Sequence, residues 1–221
     1  MLTKGIMISS FPAITPEQHL HDVEDLVFEY EILHLPVLKD GKYVGMMDFG
    51  LFCTDDIENN VKVESIMDEL LAVSIEEESY IFDGLNLICE NELSAIAVVN
   101  TEGNFVGLVR DLDILNYLRK TISISHSGSF ITLKLLPIDY NLQEISRIVE
   151  SNNARIISLH IDPIVNQEEM LVTLKIDKRD LSHILATFER FGYNYVAHSS
   201  TGDHHDDMME RYELLMRYLN L

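Results

Sequence analysis

Apolar residues recur along this chain with two different spacings, which predict two kinds of secondary structure. Near the middle of the chain, Ile131, Leu133 and Leu135 alternate with Thr132 and Lys134. Such alternation predicts a strand with one buried face. Elsewhere the apolar residues return every three or four positions, which is typical of a helix that packs on one side.

The segment after residue 128 predicts a compact α+β unit. Its elements follow in the order strand 130–136, helix 142–152, strand 155–161, strand 170–176, helix 181–191 and strand 193–198. Asn141 and Glu144 match a capping box before the first helix, and Asp177 is placed to cap the second. Strands with one exposed face and helices over the other predict a ferredoxin-like βαββαβ sandwich.

The first half of the chain contains two copies of one pattern. Residues 35–45 match residues 96–107, so that Pro36 corresponds to Ala97 and Gly45 to Gly107. In each copy, two short β-rich runs flank a polar turn that contains glycine, which predicts a hairpin. The chain therefore begins with an internal repeat.

Each predicted hairpin lies between two helical segments. The helix before the first hairpin is predicted to open at Thr15–Gln18 with a capping box, and the helix before the second to carry Glu76–Glu78 in its first turn. Short helices follow the hairpins near residues 48–52 and 112–118. With a short apolar strand in front, each repeat reads strand, helix, strand, strand, helix. Neither repeat is long enough to bury its own apolar surface, so we expect the two to pack face to face.

The stretch 104–115 combines a buried strand with a cluster of charge. Gly107 interrupts the apolar run where a side chain would obstruct either packed backbone or a ligand. Arg110, Asp111 and Asp113 follow at the predicted start of the next helix. The pattern fits a polar ligand site, and it also fits a solvated helix start.

Composition and charge narrow the classes of function. The 221 residues include 37 acids and 16 bases, for a formal net charge of −21. Such an acidic chain repels phosphate backbones and anionic membranes, so neither nucleic acid nor a membrane is an expected partner. No secretory signal or membrane-spanning run is visible, which predicts a cytoplasmic protein. Cys53 and Cys89 are expected to fill the core rather than to form a disulfide.

The sequence shows no arrangement typical of an enzyme or of a metal site. It has no nucleophile beside a base at catalytic spacing and no glycine-rich phosphate loop, so we expect no catalytic activity. The segment Asp203–Asp207 holds two adjacent histidines among acids. It is better explained as the acidic start of a last helix, 203–221, than as a metal site.

The repeat resembles a tandem pair of CBS domains over about residues 1–120. The resemblance rests on the paired starts Ile6-Met7 and Ile66-Met67, on the strands that contain Leu35-Pro-Val and Ile96-Ala-Val-Val, and on the apolar residues after Gly45 and Gly107. CBS pairs typically bind adenine nucleotides or S-adenosylmethionine between the repeats. In the family pattern, a Thr or Ser after the glycine approaches phosphate, and an Asp three residues later holds the ribose hydroxyls.

The resemblance implies one nucleotide site per chain, in the second repeat. Asp113 falls on the ribose position, and Arg110 replaces the Thr or Ser with a planar fork that can chelate phosphate. In the first repeat, Asp48 and Leu51 take these positions and fit neither role. The remaining residues expected at the site, with adenine against the last four, are Asp111, Gly107, Ala72, Val73, Ile96 and Ala97. The alternative is a degenerate pair that binds nothing and only dimerises.

The second half is similar in topology to an ACT domain. The resulting prediction is an α+β chain with a CBS pair at 1–120 (repeats about 1–58 and 61–120), a linker at 121–128, an ACT-like domain at 129–199 and the last helix. This order is similar to that of bacterial acetoin utilisation proteins. It implies a non-catalytic regulatory homodimer with no obligatory cofactor, which senses AMP, ADP, ATP or S-adenosylmethionine. The alternative is a ligand-free assembly module that docks on a metabolic enzyme.

Overall fold

Contacts in the computed structural model divide the chain into two compact units, Met1–Tyr117 and a second that begins at Leu118. The structure describes residues 1–52, 61–124, 126–163 and 169–201. The predicted last helix at 203–221 and Cys53 lie outside these residues. The boundaries predicted for the domains and the linker remain predictions.

The first unit contains both copies of the repeat. Its regular elements are α1 (Leu20–Tyr30), β1 (His34–Lys39), β2 (Lys42–Asp48), β3 (Ser74–Glu76), α2 (Ile81–Glu90), β4 (Ala95–Val99), β5 (Phe105–Arg110) and α3 (Asp111–Thr121), whose last turn extends beyond Tyr117. Strands β1 and β2 form an antiparallel hairpin, and β3 runs parallel to β4, which pairs antiparallel with β5. Both predicted hairpins are therefore present.

One hydrophobic core joins the two repeats. Leu35, Val37 and Met46 from the first repeat share a buried cluster with Ala97 and Leu108 from the second. Face-to-face packing of the repeats is confirmed. Neither sheet is large enough to bury its apolar face alone, which explains why the repeat occurs as a pair.

The first repeat is less regular than its sequence predicts. The strand expected before α1 is reduced to isolated bridges, in which Ile8 pairs with Leu108 and Ile14 with Val37. The short helix expected after the hairpin is a single 3₁₀ turn, Phe49–Leu51. The second repeat, by contrast, has a short strand β3 and a full helix α3.

The predicted start of α1 at Thr15 was wrong, because α1 begins at Leu20. In a helix from Thr15, the carbonyl of Pro16 would accept from the amide of Leu20. Instead the Pro16 carbonyl accepts from Glu64, and the Leu20 amide donates to Val61. The 3₁₀ helix Val63–Glu69 and the residues just before it thus take the hydrogen bonds that the first turn would need.

Two smaller expectations in the second repeat also failed. Helix α2 begins at Ile81, so Glu76–Glu78 precede it rather than forming its first turn. The reason is that Glu76 belongs to β3 and the carbonyl of Glu77 accepts from Lys4. Cys89 is exposed on α2 and does not fill the core.

The second unit has the predicted βαββαβ order. Its elements are β6 (Gly128–Leu135), α4 (Leu142–Ser151), β7 (Ile156–Pro163), β8 (Met170–Ile176), α5 (Ser182–Arg190) and β9 (Asn194–Thr201). The sheet order β7-β8-β6-β9 is antiparallel throughout, which is the ferredoxin-like arrangement. Ile131, Leu133 and Leu135 are buried in its core, as their alternation predicts.

The two helix caps of this unit were predicted with different success. The side chain of Asn141 accepts from the amide of Glu144 at the start of α4, as expected. Asp177 does not cap α5, because its carboxylate accepts from the amide of Arg155. Asp180 takes the place expected of Asp177 and accepts from the amide of Ser182.

Candidate functional site

Asp113 and Arg110 are brought together where β5 passes into α3. Arg110 is the last residue of β5, and Asp113 lies in the first turn of α3. The Asp113 carboxylate folds back to accept from the backbone amide of Arg110 at 3.2 Å. An acid at this position satisfies an amide that the helix itself cannot pair, as in a capping box.

The same carboxylate forms a two-point ion pair with the Arg110 side chain. Arg110 Nε donates to Asp113 Oδ2 at 3.0 Å, and Nη2 donates to Oδ1 at 2.9 Å. The two side chains are only 24% and 18% exposed. Hydrogen bonding to Asp113 is the main cause that raises the pKa of Arg110, and the charges of Asp113, Glu31 and Asp111 add to it.

Arg110 also links the two repeats. Its Nη1 donates to the backbone carbonyl of Tyr30 at 3.2 Å. Tyr30 is the last residue of α1, where carbonyl groups lack helical partners and a cation is favoured by the helix dipole. The guanidinium thus joins the start of one helix to the end of another. Sequence reasoning missed Tyr30 because a backbone carbonyl leaves no mark in residue type.

The equivalent position in the first repeat has different chemistry. Asp48, which corresponds to Arg110, accepts from the amide of Gly50 at 2.8 Å and lies 3.8 Å from His34 Nε2. Burial lowers the pKa of His34 more than the Asp48 charge raises it, which favours the neutral imidazole. Leu51, which corresponds to Asp113, is 66% exposed and offers no acceptor.

Of the two explanations for the glycine at position 107, packed backbone or a bound ligand, the structure supports packed backbone. A Cβ at Gly107 would lie 2.8 Å from the carbonyl oxygen of Ile8. Ile8 and Leu108 exchange two backbone hydrogen bonds of 2.7 and 3.1 Å beside it. Gly45 is crowded in the same way by the side chain of Leu70. Each glycine therefore admits a segment of the other repeat.

The remaining residues expected at the site lie at different depths. Asp111 and Ala72 are exposed and Val73 is half-buried, whereas Ile96 and Ala97 are fully buried in the core. The Val73 carbonyl accepts a hydrogen bond from the hydroxyl of Tyr43, and burial raises the pKa of that hydroxyl. Sequence reasoning also missed Tyr43, because one tyrosine in a strand looks like ordinary packing.

Ser94 is a third residue that the sequence did not single out. Its hydroxyl accepts from the amides of Leu33 at 2.8 Å and His34 at 3.0 Å. Its own amide donates to Nδ1 of His34 at 3.1 Å. The Ser94 carbonyl accepts from Asp111, just as the Leu33 carbonyl accepts from Phe49 in the first repeat. The start of α3 is therefore fixed by a backbone hydrogen bond that has an equivalent in the first repeat.

The described residues show neither a cluster of metal ligands nor a membrane-spanning helix. In the ranges that it describes, no three His, Cys, Asp or Glu side chains gather as the ligands of a metal ion would. Within the same ranges, no helix is both long and apolar enough to cross a membrane. The Asp203–Asp207 cluster lies outside them.

Comparison with known proteins identifies the repeated half. The family model of the CBS domain matches residues 4–48 and 63–120, one match for each copy of the repeat. The chain therefore contains a CBS domain pair. No curated protein sequence matches the chain.

Several solved structures are similar to this half. A CBS domain pair/ACT domain protein from Thermotoga maritima is 19% identical, with a TM-score of 0.46 over 54% of this chain and 98% of that one. CBSX2 in complex with AMP is 17% identical, with a TM-score of 0.45 over 54% and 97%. The CBS domain pair of protein MJ0100, in complex with 5′-methylthioadenosine and S-adenosyl-L-methionine, is 21% identical, with a TM-score of 0.42 over 54% and 97%.

Proposed function

We propose that this chain is a non-catalytic regulatory protein that senses an adenine nucleotide through Asp113 of its CBS pair. The observation that carries the proposal is the asymmetry between the repeats. Among the residues that the structure describes, only the second copy has a carboxylate in the helix turn after its hairpin, with a guanidinium beside it. A carboxylate can accept from two vicinal ribose hydroxyls, and a guanidinium can pair with phosphate.

The ligands to be tested are those for which CBS pairs are known. AMP, 5′-methylthioadenosine and S-adenosyl-L-methionine are bound in two of the similar structures. ADP and ATP complete the set of candidate effectors. In this proposal, Asp111, Ala72 and Val73 would contact the ligand, whereas Gly107, Ile96 and Ala97, which are packed in the core, would form the layer behind it.

We further propose that the protein works as a cytoplasmic homodimer. The second unit has the ferredoxin-like topology that ACT domains share, and such units commonly associate. In this proposal, nucleotide binding changes how the dimer presents its other surfaces to a partner enzyme. The likeness in domain order to bacterial acetoin utilisation proteins belongs to the same proposal.

Calorimetry with the intact protein tests nucleotide binding. AMP, ADP, ATP, 5′-methylthioadenosine and S-adenosylmethionine are titrated into the wild type, Asp113→Asn and Asp48→Asn. Asp113→Asn removes the ribose-binding charge but keeps the shape, whereas Asp48→Asn makes the same change at the position of the first repeat that corresponds to Arg110, because Leu51 occupies the position of Asp113. We expect at least one ligand to bind, Asp113→Asn to weaken it by about tenfold or more, and Asp48→Asn to leave it unchanged. Equal effects of both substitutions would contradict the assignment.

One observation favours the alternative of a ligand-free assembly module. The Asp113 carboxylate is already engaged by Arg110, so the cluster also makes sense as a purely structural connection between α1 and α3. Sedimentation velocity of the protein with and without the five candidate ligands separates the two functions. Association that is independent of every ligand, together with no heat on titration, would favour the assembly module.

A further inference from the structure

The Asp113 carboxylate has little capacity left for a ribose. An ionised carboxylate offers about four acceptor positions, two on each oxygen. Oδ2 already accepts from the backbone amide and from Nε of Arg110, and Oδ1 accepts from Nη2. About one position remains, whereas two vicinal hydroxyls need two. A ribose can therefore bind fully only if the Arg110 side chain leaves.

The guanidinium is held at each of its three nitrogens. Nε and Nη2 pair with Asp113, and Nη1 pairs with the carbonyl of Tyr30. Both side chains of the ion pair are largely shielded from water, so its bonds cannot simply be exchanged for bonds to solvent. Moving Arg110 therefore costs free energy. How far a ligand compensates for this cost depends on the new contacts that it makes with the guanidinium.

We propose that Arg110 is a latch on the Asp113 site, and that it makes the site selective for nucleotides that carry a 5′-phosphate over the uncharged nucleoside. This inference rests on the proposed function, because it concerns the same site. A phosphate gives the displaced guanidinium a new two-point anionic partner, so that one ion pair replaces another. Adenosine offers the guanidinium no anion and must bear the whole cost of breaking the pair.

The charges around the latch make this exchange specific to Arg110. Glu31 and Asp111 contribute further negative charge near the guanidinium, and their effect on Arg110 has the same sign as that of Asp113. A phosphate that approached without a released cation would meet carboxylates and be repelled. Phosphate recognition and release of Asp113 are then one event, performed by one side chain.

Calorimetry with AMP and adenosine tests the latch. We compare the wild type with Arg110→Met, which removes the latch, and with Arg119→Met, which removes the same charge from the last turn of α3 as a control. In the wild type, AMP should bind at least about tenfold tighter than adenosine. In Arg110→Met, adenosine should bind about tenfold tighter than it does to the wild type, and AMP should bind more weakly. Arg119→Met should behave as the wild type.

A second variant keeps the test decisive if Arg110→Met fails to fold. Arg110→Lys keeps a cation for the phosphate but cannot engage both carboxylate oxygens in one plane. It should bind adenosine more tightly than the wild type while retaining most of its affinity for AMP. Unchanged adenosine binding in either folded variant overturns the latch, even where AMP binding through Asp113 still supports the proposed function. If neither ligand binds the wild type or a folded variant, the proposed function fails and the latch fails with it.

Discussion

His34 makes a hydrogen bond that exists only while its imidazole is neutral. Nδ1 accepts from the amide of Ser94, which requires an unprotonated nitrogen. Burial is the main cause that lowers the pKa of His34, and the nearby charge of Asp48 opposes it. The hydrogen bond between His34 and Ser94 connects the two repeats, and its presence therefore depends on pH.

We therefore predict that acid weakens this unit through His34. Because its pKa is lower in the folded chain than the unfolded value of about 6.5, its contribution is present above that pH and is lost as pH falls through the folded pKa. The loss should be roughly 1 kcal/mol, the net worth of one hydrogen bond. Chemical denaturation of the wild type and of His34→Asn, across neutral and mildly acidic pH, measures it.

The Asn variant is the matched control, because its amide oxygen can accept from Ser94 but does not titrate. Other groups titrate equally in both proteins, so only the difference between the two pH curves reports on His34. Parallel curves would show that protonation of this imidazole does not matter to stability.

At the scale of elements, the sequence correctly predicted those features of helices and strands that depend only on neighbouring residues. Alternation placed Ile131, Leu133 and Leu135 in the core because a strand turns successive side chains to opposite faces. The Asn141 cap was found because it depends on residues three apart. Helix α1, by contrast, starts late because Pro16 bonds to Glu64, far along the chain, and no window around Pro16 contains that information.

The candidate site shows the same division. Alignment of the two repeats in the sequence singled out Arg110 and Asp113, and the two side chains are in contact in the structure. From the sequence, each of the two side chains was expected to bind a ligand, whereas in the structure the two side chains bind each other. The sequence shows that Arg110 and Asp113 are three residues apart at the start of a helix. Whether they pair with each other or contact a ligand depends also on the Tyr30 carbonyl, which binds Arg110. Only the packing of the chain brings that carbonyl close to Arg110.

A segment of the first repeat packs closely against β5 of the second, and this contact leads to a prediction about Gly107. Gly107→Ala would place a methyl group 2.8 Å from the Ile8 carbonyl oxygen, which is backbone held by two hydrogen bonds. Because that segment can yield only by losing its bridge to Leu108, we expect a destabilisation of about 1–3 kcal/mol. Urea denaturation measures it.

Gly5→Ala is the appropriate control for Gly107→Ala. Its added Cβ would meet only the flexible end of the Met1 side chain, which can rotate away. It should change the free energy of unfolding by less than about 0.5 kcal/mol. Equal effects of the two substitutions would mean that the contact between β5 and Ile8 is not tight.

At the scale of the whole molecule, the dominant quantity is the net charge of −21. Like charges repel more strongly in the compact chain than in the unfolded one, so this charge opposes folding. We therefore predict that the free energy of unfolding at about pH 7.5 rises as NaCl increases from roughly 0.01 to 0.3 M, since the screening length falls from about 30 Å to less than 10 Å. Thermal or urea denaturation over a salt series measures the change.

The same series near the isoelectric point separates charge repulsion from general effects of salt. The sequence pI is about 4.6, so the net charge at that pH is close to zero and no long-range repulsion remains to be screened. We expect the salt dependence of the free energy of unfolding to flatten there. If salt lowered the stability at about pH 7.5, ion pairs such as the one between Arg110 and Asp113 would outweigh the repulsion. The acidic surface would then be a matter of solubility rather than of folding.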